Sequence, residues 1–196
     1  MKVIGITGGV GAGKSEVIRI IKDMCSCVVV IADELAKSLE KKGEVCYEPL
    51  LELLGDDVLG ADGEIDPKKM AAKIFAPDAK GLLADVNATV HPAVKARILQ
   101  MIDEAEREGA ADYFFIEAAL LIEDHYDTIV DELWYIYADE DIRRGRLKET
   151  RGYTDRKIDE LMRSQSSDEV FRQKCAIVID NSGTIAQVKK QLEEIL

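Results

Sequence analysis

The chain has 196 residues, 47% hydrophobic and 33% charged, with a net charge of −12 and a pI near 4.7. That length supplies a core for one domain of ordinary size, and the composition excludes a disordered or collagen-like chain. The acidity excludes general attraction to nucleic acid or anionic membranes, so a polyanionic ligand would have to be held by local cations and main-chain amides.

In chain order, Val3–Thr7 is short, apolar and β-branched, and is predicted to be a buried parallel strand. A glycine loop follows. Ser15–Met24 is predicted to be a helix, since Val17, Ile18, Ile20 and Ile21 recur at its spacing. Val28–Ile31 reads as a second strand, and Glu34–Lys41 as a helix ending at Gly43. The stretch from Cys46 to about Glu108 holds no convincing strand. Leu50, Leu51, Leu53 and Leu54 suggest a short helix stopped by Gly55, and Gly60–Gly63 a turn. Asp66-Pro67 places an N-cap before a first-turn proline, and Ala93–Glu108 is a longer amphipathic helix. This part, residues 46–110, is expected to be a helical insertion within a single domain spanning 1–196.

Strand character returns at Tyr113–Glu117, Leu133–Tyr137 and Ala176–Ile179. Asp139–Thr150 is a charged helix with acids leading and arginines following, which suits the helix dipole. Thr154 caps Asp155–Arg163, and Thr184–Ile195 closes the chain as a helix. Strands alternating with helices indicate an α/β fold, a doubly wound parallel sheet of five strands. Ligands in such sheets bind beyond the carboxyl ends of the strands. The loop after Thr7, the residues after Ile31, and Glu117 are therefore expected on one rim.

Cys25, Cys27, Cys46 and Cys175 lack zinc spacing and read as scattered reduced thiols. The longest mainly apolar stretch, Tyr113–Ile122, contains Glu117 and is too short to span a membrane. The N-terminus leads straight into the glycine loop, so a signal peptide would have to be cut inside it. The expectation is a cytoplasmic protein.

Gly8-Gly9-Val10-Gly11-Ala12-Gly13-Lys14-Ser15 fits the pattern G-x-x-x-x-G-K-[ST], between a strand and a helix as that motif requires. Glycines let the backbone wrap closely and turn N–H groups inward, and the helix N-terminus adds partial positive charge. Lys14 is expected to reach the β- and γ-phosphates of a nucleoside triphosphate, and Ser15 to ligate Mg²⁺ through Oγ.

Phosphoryl transfer to an alcohol needs an acceptor for the hydroxyl proton. Asp33, just past the second strand, is the candidate base; the alternative is an N-cap for the following helix, and one residue can do both. Glu117 could hold Mg²⁺ through water, or be a solvated strand end. Arg143, Arg144, Arg146 and Arg151 cluster, and Arg144 and Arg151 are two helical turns apart and share a face. A mobile helix bearing them could close over a triphosphate; the alternative is a solvated face paired with Glu140, Asp141 and Glu149. His91, before Pro92, is either structural or a contact for a second substrate.

With these residues in view, the chain resembles the dephospho-coenzyme A kinase family over nearly its whole length. The resemblance is carried by Ile4–Ser15, by Ala32-Asp33, and by Gly63-Glu64-Ile65-Asp66 followed by Ile74-Phe75. Val90-His91-Pro92-Ala93-Val94, Glu117–Glu123, Gln165 and Ile179–Gly183 continue it. It implies a P-loop kinase fold and transfer of the ATP γ-phosphate to the ribose 3′-hydroxyl of dephospho-coenzyme A, the last step of coenzyme A biosynthesis. By resemblance Asp33 is the catalytic aspartate and the insertion binds the acceptor; Asp33, His91 and Glu117 are read as the acceptor's contacts. Residues 139–166 form the lid, whose Arg146 and Arg151 shield developing charge. Asn181 falls near the adenine site. ATP, Mg²⁺ and dephospho-coenzyme A are the implied ligands, with no nucleic-acid or membrane partner, and a monomer or small homo-oligomer.

The chain departs from the family's pattern in places. Ile31 replaces the first aspartate of Asp-Ala-Asp, Pro67 an arginine, Ala119 a proline, Glu117 an aspartate and Ile122 a phenylalanine. Arg143 or Arg144 stands where the lid usually has glutamine, and Ala176 replaces an aspartate. Two rivals follow: a P-loop kinase of another small nucleotide or metabolite, and a nucleotide-binding homologue without transferase activity.

Overall fold

The computed structural model describes residues 1–109, 111–118, 121–122 and 126–196. The chain divides into two compact units, one made of Met1–Val30 and Glu104–Leu196, the other of Ile31–Asp103.

The first unit is built on the sheet. β1 (Lys2–Thr7) leads through the glycine loop into α1 (Lys14–Met24), and β2 (Cys27–Ile31) follows. In the second unit come α2 (Ala32–Leu39), α3 (Tyr47–Leu54), α4 (Pro67–Ile74) and most of α5 (Leu82–Glu108). The chain then adds β3 (Tyr113–Glu117), β4 (Glu132–Tyr137), α6 (Glu140–Arg151), α7 (Asp155–Arg163), α8 (Asp168–Lys174), β5 (Ile177–Asp180) and α9 (Ile185–Glu193).

The strands form a parallel five-stranded sheet in the order β2-β3-β1-β4-β5, as the alternation of elements had indicated. β1 is central: Ile6 is in register with Glu117 of β3 and with Trp134 of β4, and Thr7 with Tyr135. The register brings the carboxyl ends of β1, β3 and β4 to one rim.

β1 is apolar on both faces because both are covered. Ile4, Ile6, Phe115, Trp134 and Ile136 form one cluster with Val17, Ile20 and Ile21 of α1 and Val188 and Leu192 of α9. Phe115 meets Trp134 edge-on at 5.5 Å between ring centroids. Burying such a side chain contributes about 1.5–3 kcal/mol, so this cluster anchors the loop at the end of β1.

In the second unit Leu50, Leu54, Val58, Ile74, Val86, Val90 and Val94 are buried. Beyond Ile31 it has no strand among the described residues, only a single antiparallel bridge between Leu59 and Ile65. Asp66 caps α4 as anticipated, its Oδ1 accepting from the amides of Lys68 (2.8 Å) and Lys69 (3.3 Å), with Pro67 next.

Three local expectations are corrected. The long helix, predicted from Ala93, begins at Leu82 and runs through His91-Pro92. Proline removes one N–H from the helical ladder, but Val86, Val90, Val94 and Ile98 form a stripe of buried residues four apart on either side of it. That stripe outweighs one lost hydrogen bond. The helix after β2 begins at Ala32, its flanking residue is Ile31, and no side chain caps it. Asp33 is thus already inside the first turn, and its alternative role as N-cap is excluded. Finally, α8 was not anticipated. Ser167 caps it, with Asp168 and Glu169 in its first turn and Arg172 and Lys174 in its last. Those start and stop signals were present in the sequence.

Candidate phosphate-binding site

The loop Gly8–Gly13 crosses from β1 to α1, and its shape depends on glycine at two points. Gly11 and Gly13 have φ of +80° and +85°, where a side chain is strained. The loop is pinned from within and from behind. The Ala12 amide donates to the Gly9 carbonyl at 3.1 Å, and the Glu16 and Val17 amides donate to that of Gly13 at 3.0 and 3.1 Å. The Val10 amide donates to Gln165 Oε1 at 2.7 Å. No hydrogen bond among the described residues occupies the amides of Gly11, Gly13, Lys14 or Ser15. The first amides of a helix have no intrahelical acceptor, so this set can accept an anion, and the α1 dipole adds to its pull.

Lys14 is held beside them. Its Nζ donates to the Gly8 carbonyl at 3.0 Å and lies 3.4 Å from Glu117 Oε1; the two side chains are 15% and 13% exposed. The expected meeting of the loop and the end of β3 is therefore realised, and Glu117 is partly buried against a cation rather than a solvated strand end. Ser15 is exposed in the first turn of α1. Among the described residues, no group of three or more His, Cys, Asp or Glu could hold a metal ion. A Mg²⁺ ion still fits the donor set. It ordinarily keeps water and phosphate oxygens and takes only one or two protein oxygens, and Ser15 Oγ and Glu117 are oxygens of that kind.

Asn181, 6% exposed, fixes the loop from the end of β5. Its Nδ2 donates to the Ala12 carbonyl at 2.7 Å, and its amide donates to the Tyr137 carbonyl at 2.8 Å. Arg146 completes the clamp: Nη2 donates to the Asn181 carbonyl at 2.8 Å and Nη1 to that of Ala12 at 3.3 Å.

The arginines of α6 divide by face. Arg144 pairs with Glu140 at 2.8 Å and with Asp159 at 2.6 Å, so for this residue the paired surface alternative holds. Arg151 is exposed, its guanidinium 5.9 Å from the centre of the Tyr153 ring. Arg143, Arg146 and Leu147 lie on the loop side, at spacing i, i+3, i+4. A Cβ placed on Gly9 would collide with Arg143 Nη1, one on Gly11 would fall 3.1 Å from Leu147 Cγ, and one on Gly13 3.3 Å from Arg146 Nη1. Arg143 and Gln165 touch the loop; from sequence Arg143 was one of four clustered arginines and was not singled out. The helical spacing of Arg143 with Arg146 was the available signal; for Gln165 only the family resemblance pointed there.

Arg143 and Gln165 also line a cavity of about 690 Å³ with Tyr135, Tyr137, Asp168 and Phe171. Burial drives the Tyr135 phenol upward, reinforced by its hydrogen bond to Asp168. For Asp168, burial opposes ionisation, but the hydrogen bonds from Arg172 and Tyr135 prevail and hold its carboxyl below the usual range.

Asp33 and His91 belong to the other unit. Asp33 is exposed in the first turn of α2, and His91 is half-buried in the middle of α5. Of the Glu117–Glu123 segment, Ala119, Leu120 and Glu123 lie outside the described residues.

Comparison with known proteins bears on the whole chain. Residues 2–187 match the family model described as dephospho-CoA kinase. A dephospho-CoA kinase of Enterococcus faecalis is 34% identical over 197 residues, covering 98% of this chain and 96% of the relative. One from Corynebacterium diphtheriae is 32% identical, covering 100% and 96%. A crystal structure of a Thermus thermophilus protein superposes with a TM-score of 0.82 at 25% identity, covering 99% of this chain and 95% of that one.

Proposed function

We propose, because the chain belongs to the dephospho-CoA kinase family, that it transfers the γ-phosphate of ATP to the ribose 3′-hydroxyl of dephospho-coenzyme A, the final step of coenzyme A formation. The observation that carries the phosphate half of this reading is the set of open amides at Gly11, Gly13, Lys14 and Ser15, with Lys14 held beside them. The acceptor half rests on family membership.

In this reading the loop amides and Lys14 bind the phosphate tail of ATP. Ser15 Oγ, with Glu117 through water, holds Mg²⁺. The ion supplies charge neutralisation on the β- and γ-phosphate oxygens. Asn181 and Arg146 keep the loop in its binding shape, and Asn181 borders the adenine. Asp33 accepts the proton of the attacking hydroxyl, and His91 contacts the acceptor, which the 46–110 insertion binds. Residues 139–166 act as the lid, and its Arg146 and Arg151 shield the charge that develops during transfer. Such a transfer asks for positioning and electrostatics more than covalent chemistry from the protein. The cytoplasm, where ATP and reduced thiols abound, is the proposed location; among the described residues no helix is long and apolar enough to cross a membrane.

A coupled assay of ADP release tests the reading, run with dephospho-coenzyme A and a panel of other nucleosides and metabolites. Turnover that requires dephospho-coenzyme A and yields coenzyme A is expected. Ile31 and Pro67 stand where the family has charged residues. Turnover of a different acceptor alone would therefore favour a kinase of another metabolite. Nucleotide binding without any phosphorylated product would favour an inactive homologue.

A further inference from the structure

We infer that Arg143 is a further catalytic residue, whose guanidinium donates hydrogen bonds to the oxygens of the γ-phosphoryl group during transfer. This rests on the phosphoryl-transfer reading above. In the step, the acceptor oxygen bonds to the γ-phosphorus while the bond from that phosphorus to the β,γ-bridging oxygen breaks. ADP leaves with that electron pair, and the hydroxyl proton passes to Asp33. Negative charge spreads over the three peripheral oxygens of the moving group, and cations fixed in advance at that place lower the barrier most.

The charges around the loop single out Arg143. Lys14 is shared with Glu117 at 3.4 Å and with the Gly8 carbonyl. Arg144 is neutralised by Glu140 and Asp159. Arg146 is bound to the main-chain carbonyls of Ala12 and Asn181, and Arg151 lies over Tyr153. Arg143 alone of the four places its guanidinium against the face of the loop at Gly9. Among the described residues it makes no ion pair, and its buried Nε has no hydrogen-bond partner. Asp168, whose carboxylate feels the Arg143 charge, is already held by Arg172 at 2.8 Å. A buried guanidinium N–H without an acceptor is costly, and Nη1 of the same group, which stands against Gly9, is the edge that a phosphoryl oxygen arriving there would meet.

Position matters as much as charge. Gly9 precedes the open amides, and its neighbour Val10 is tied through its own amide to Gln165 Oε1 at 2.7 Å. The amide of Val10 is thus unavailable to a ligand in this arrangement, and the guanidinium at Gly9 is the donor that serves this edge of the loop. On its other side the Arg143 side chain borders the cavity of about 690 Å³, so its surroundings are not closed by packing.

The test compares wild type with Arg143→Ala, Arg143→Met and Arg143→Lys. Readouts are kcat for ADP release with dephospho-coenzyme A, slow ATP hydrolysis without acceptor, calorimetric affinity for Mg·ADP, and Tm. Removing one such donor typically costs about 10²–10³-fold in kcat. A fall of about that size is expected in Arg143→Ala and Arg143→Met, with Mg·ADP affinity within about threefold of wild type. Free guanidinium added at millimolar levels should restore part of the activity to Arg143→Ala, and Arg143→Lys should retain more than Arg143→Met. The inference is overturned if kcat stays within about threefold of wild type, or if it falls in parallel with Mg·ADP affinity and Tm without rescue, since the residue then only props up the loop. Should wild type fail to phosphorylate dephospho-coenzyme A, the acceptor assignment falls. The hydrolysis rate of the variants, where water is the acceptor, would still decide the role of Arg143.

Discussion

The two units of this molecule use their residues differently. In the sheet unit the glycine loop presents main-chain groups. Amides at Gly11, Gly13, Lys14 and Ser15 are open, and buried side chains such as Asn181 serve to hold that backbone. In the Ile31–Asp103 unit no comparable loop exists, and large apolar side chains stand in solvent instead: Phe75 is 73% exposed and Val45 63%, with Leu83 and Leu99 also exposed. A backbone site tolerates almost no change, because glycine is required for its shape. A side-chain surface can be rewritten residue by residue. Departures from the family's pattern fall in both units, at Ile31 and Pro67 in the second and at Glu117, Ile122 and Ala176 in the first, while Gly8–Ser15 fits its pattern without exception.

That contrast can be broken by mutation, beginning with the largest effect. Asp33→Asn removes the proposed proton acceptor. It should lower kcat by about 10²-fold or more while leaving the affinity for Mg·ATP nearly unchanged. Equal losses in both would show that Asp33 belongs functionally with the nucleotide site. Asn181→Ala acts in the other direction. It deprives the Ala12 carbonyl of its bond at 2.7 Å, leaving the longer one from Arg146 at 3.3 Å. A stability loss of about 1–3 kcal/mol is expected, together with weaker ATP binding and little change in acceptor KM, read from thermal melts and steady-state kinetics.

Asp66→Ala is the smaller counterpart in the helical unit. Losing the cap on α4 should cost about 1 kcal/mol and leave Mg·ATP affinity untouched. A matching loss of nucleotide binding would contradict the separation of roles. A further effect is one of pH. Burial pushes the Cys175 thiol up from 9.0 to about 11, and the Cys25 thiol to about 12 through burial and its neighbour Cys27. Both are neutral when folded and more acidic when unfolded. Their contribution is intact below pH 9 and is lost as pH rises through the folded values. Melting temperature should therefore decline above about pH 9, and Cys175→Ala should flatten that decline.

Much of this was legible in the chain itself. The glycine loop could be read because its chemistry is written in local sequence: a strand, glycines at the turns, Lys14-Ser15 and a helix. The Asp66 and Thr154 caps were legible for the same reason, since a cap and its amides are two or three residues apart. Glu117 was placed correctly on the rim because sheet topology, once inferred, fixes where strands end. Arg143 and Gln165 were harder. Their contacts with Gly9 and Val10 span more than a hundred residues, and α6 offers four arginines with nothing local to say which face turns inward. The start of α5 was misread because Pro92 is a local stop signal, and only the buried stripe through Val86 and Val90 overrules it. The place of Asp33 in the first turn of α2 excludes the capping alternative.

The most direct test of the central claim is a calorimetric titration of Mg·ATP into the full chain and into Lys14→Ala. Saturable binding by the wild-type chain, accompanied by a higher Tm, is expected, with affinity lowered at least about tenfold in the variant. No heat and no shift in Tm for wild type, or identical titrations for the two proteins, would contradict it.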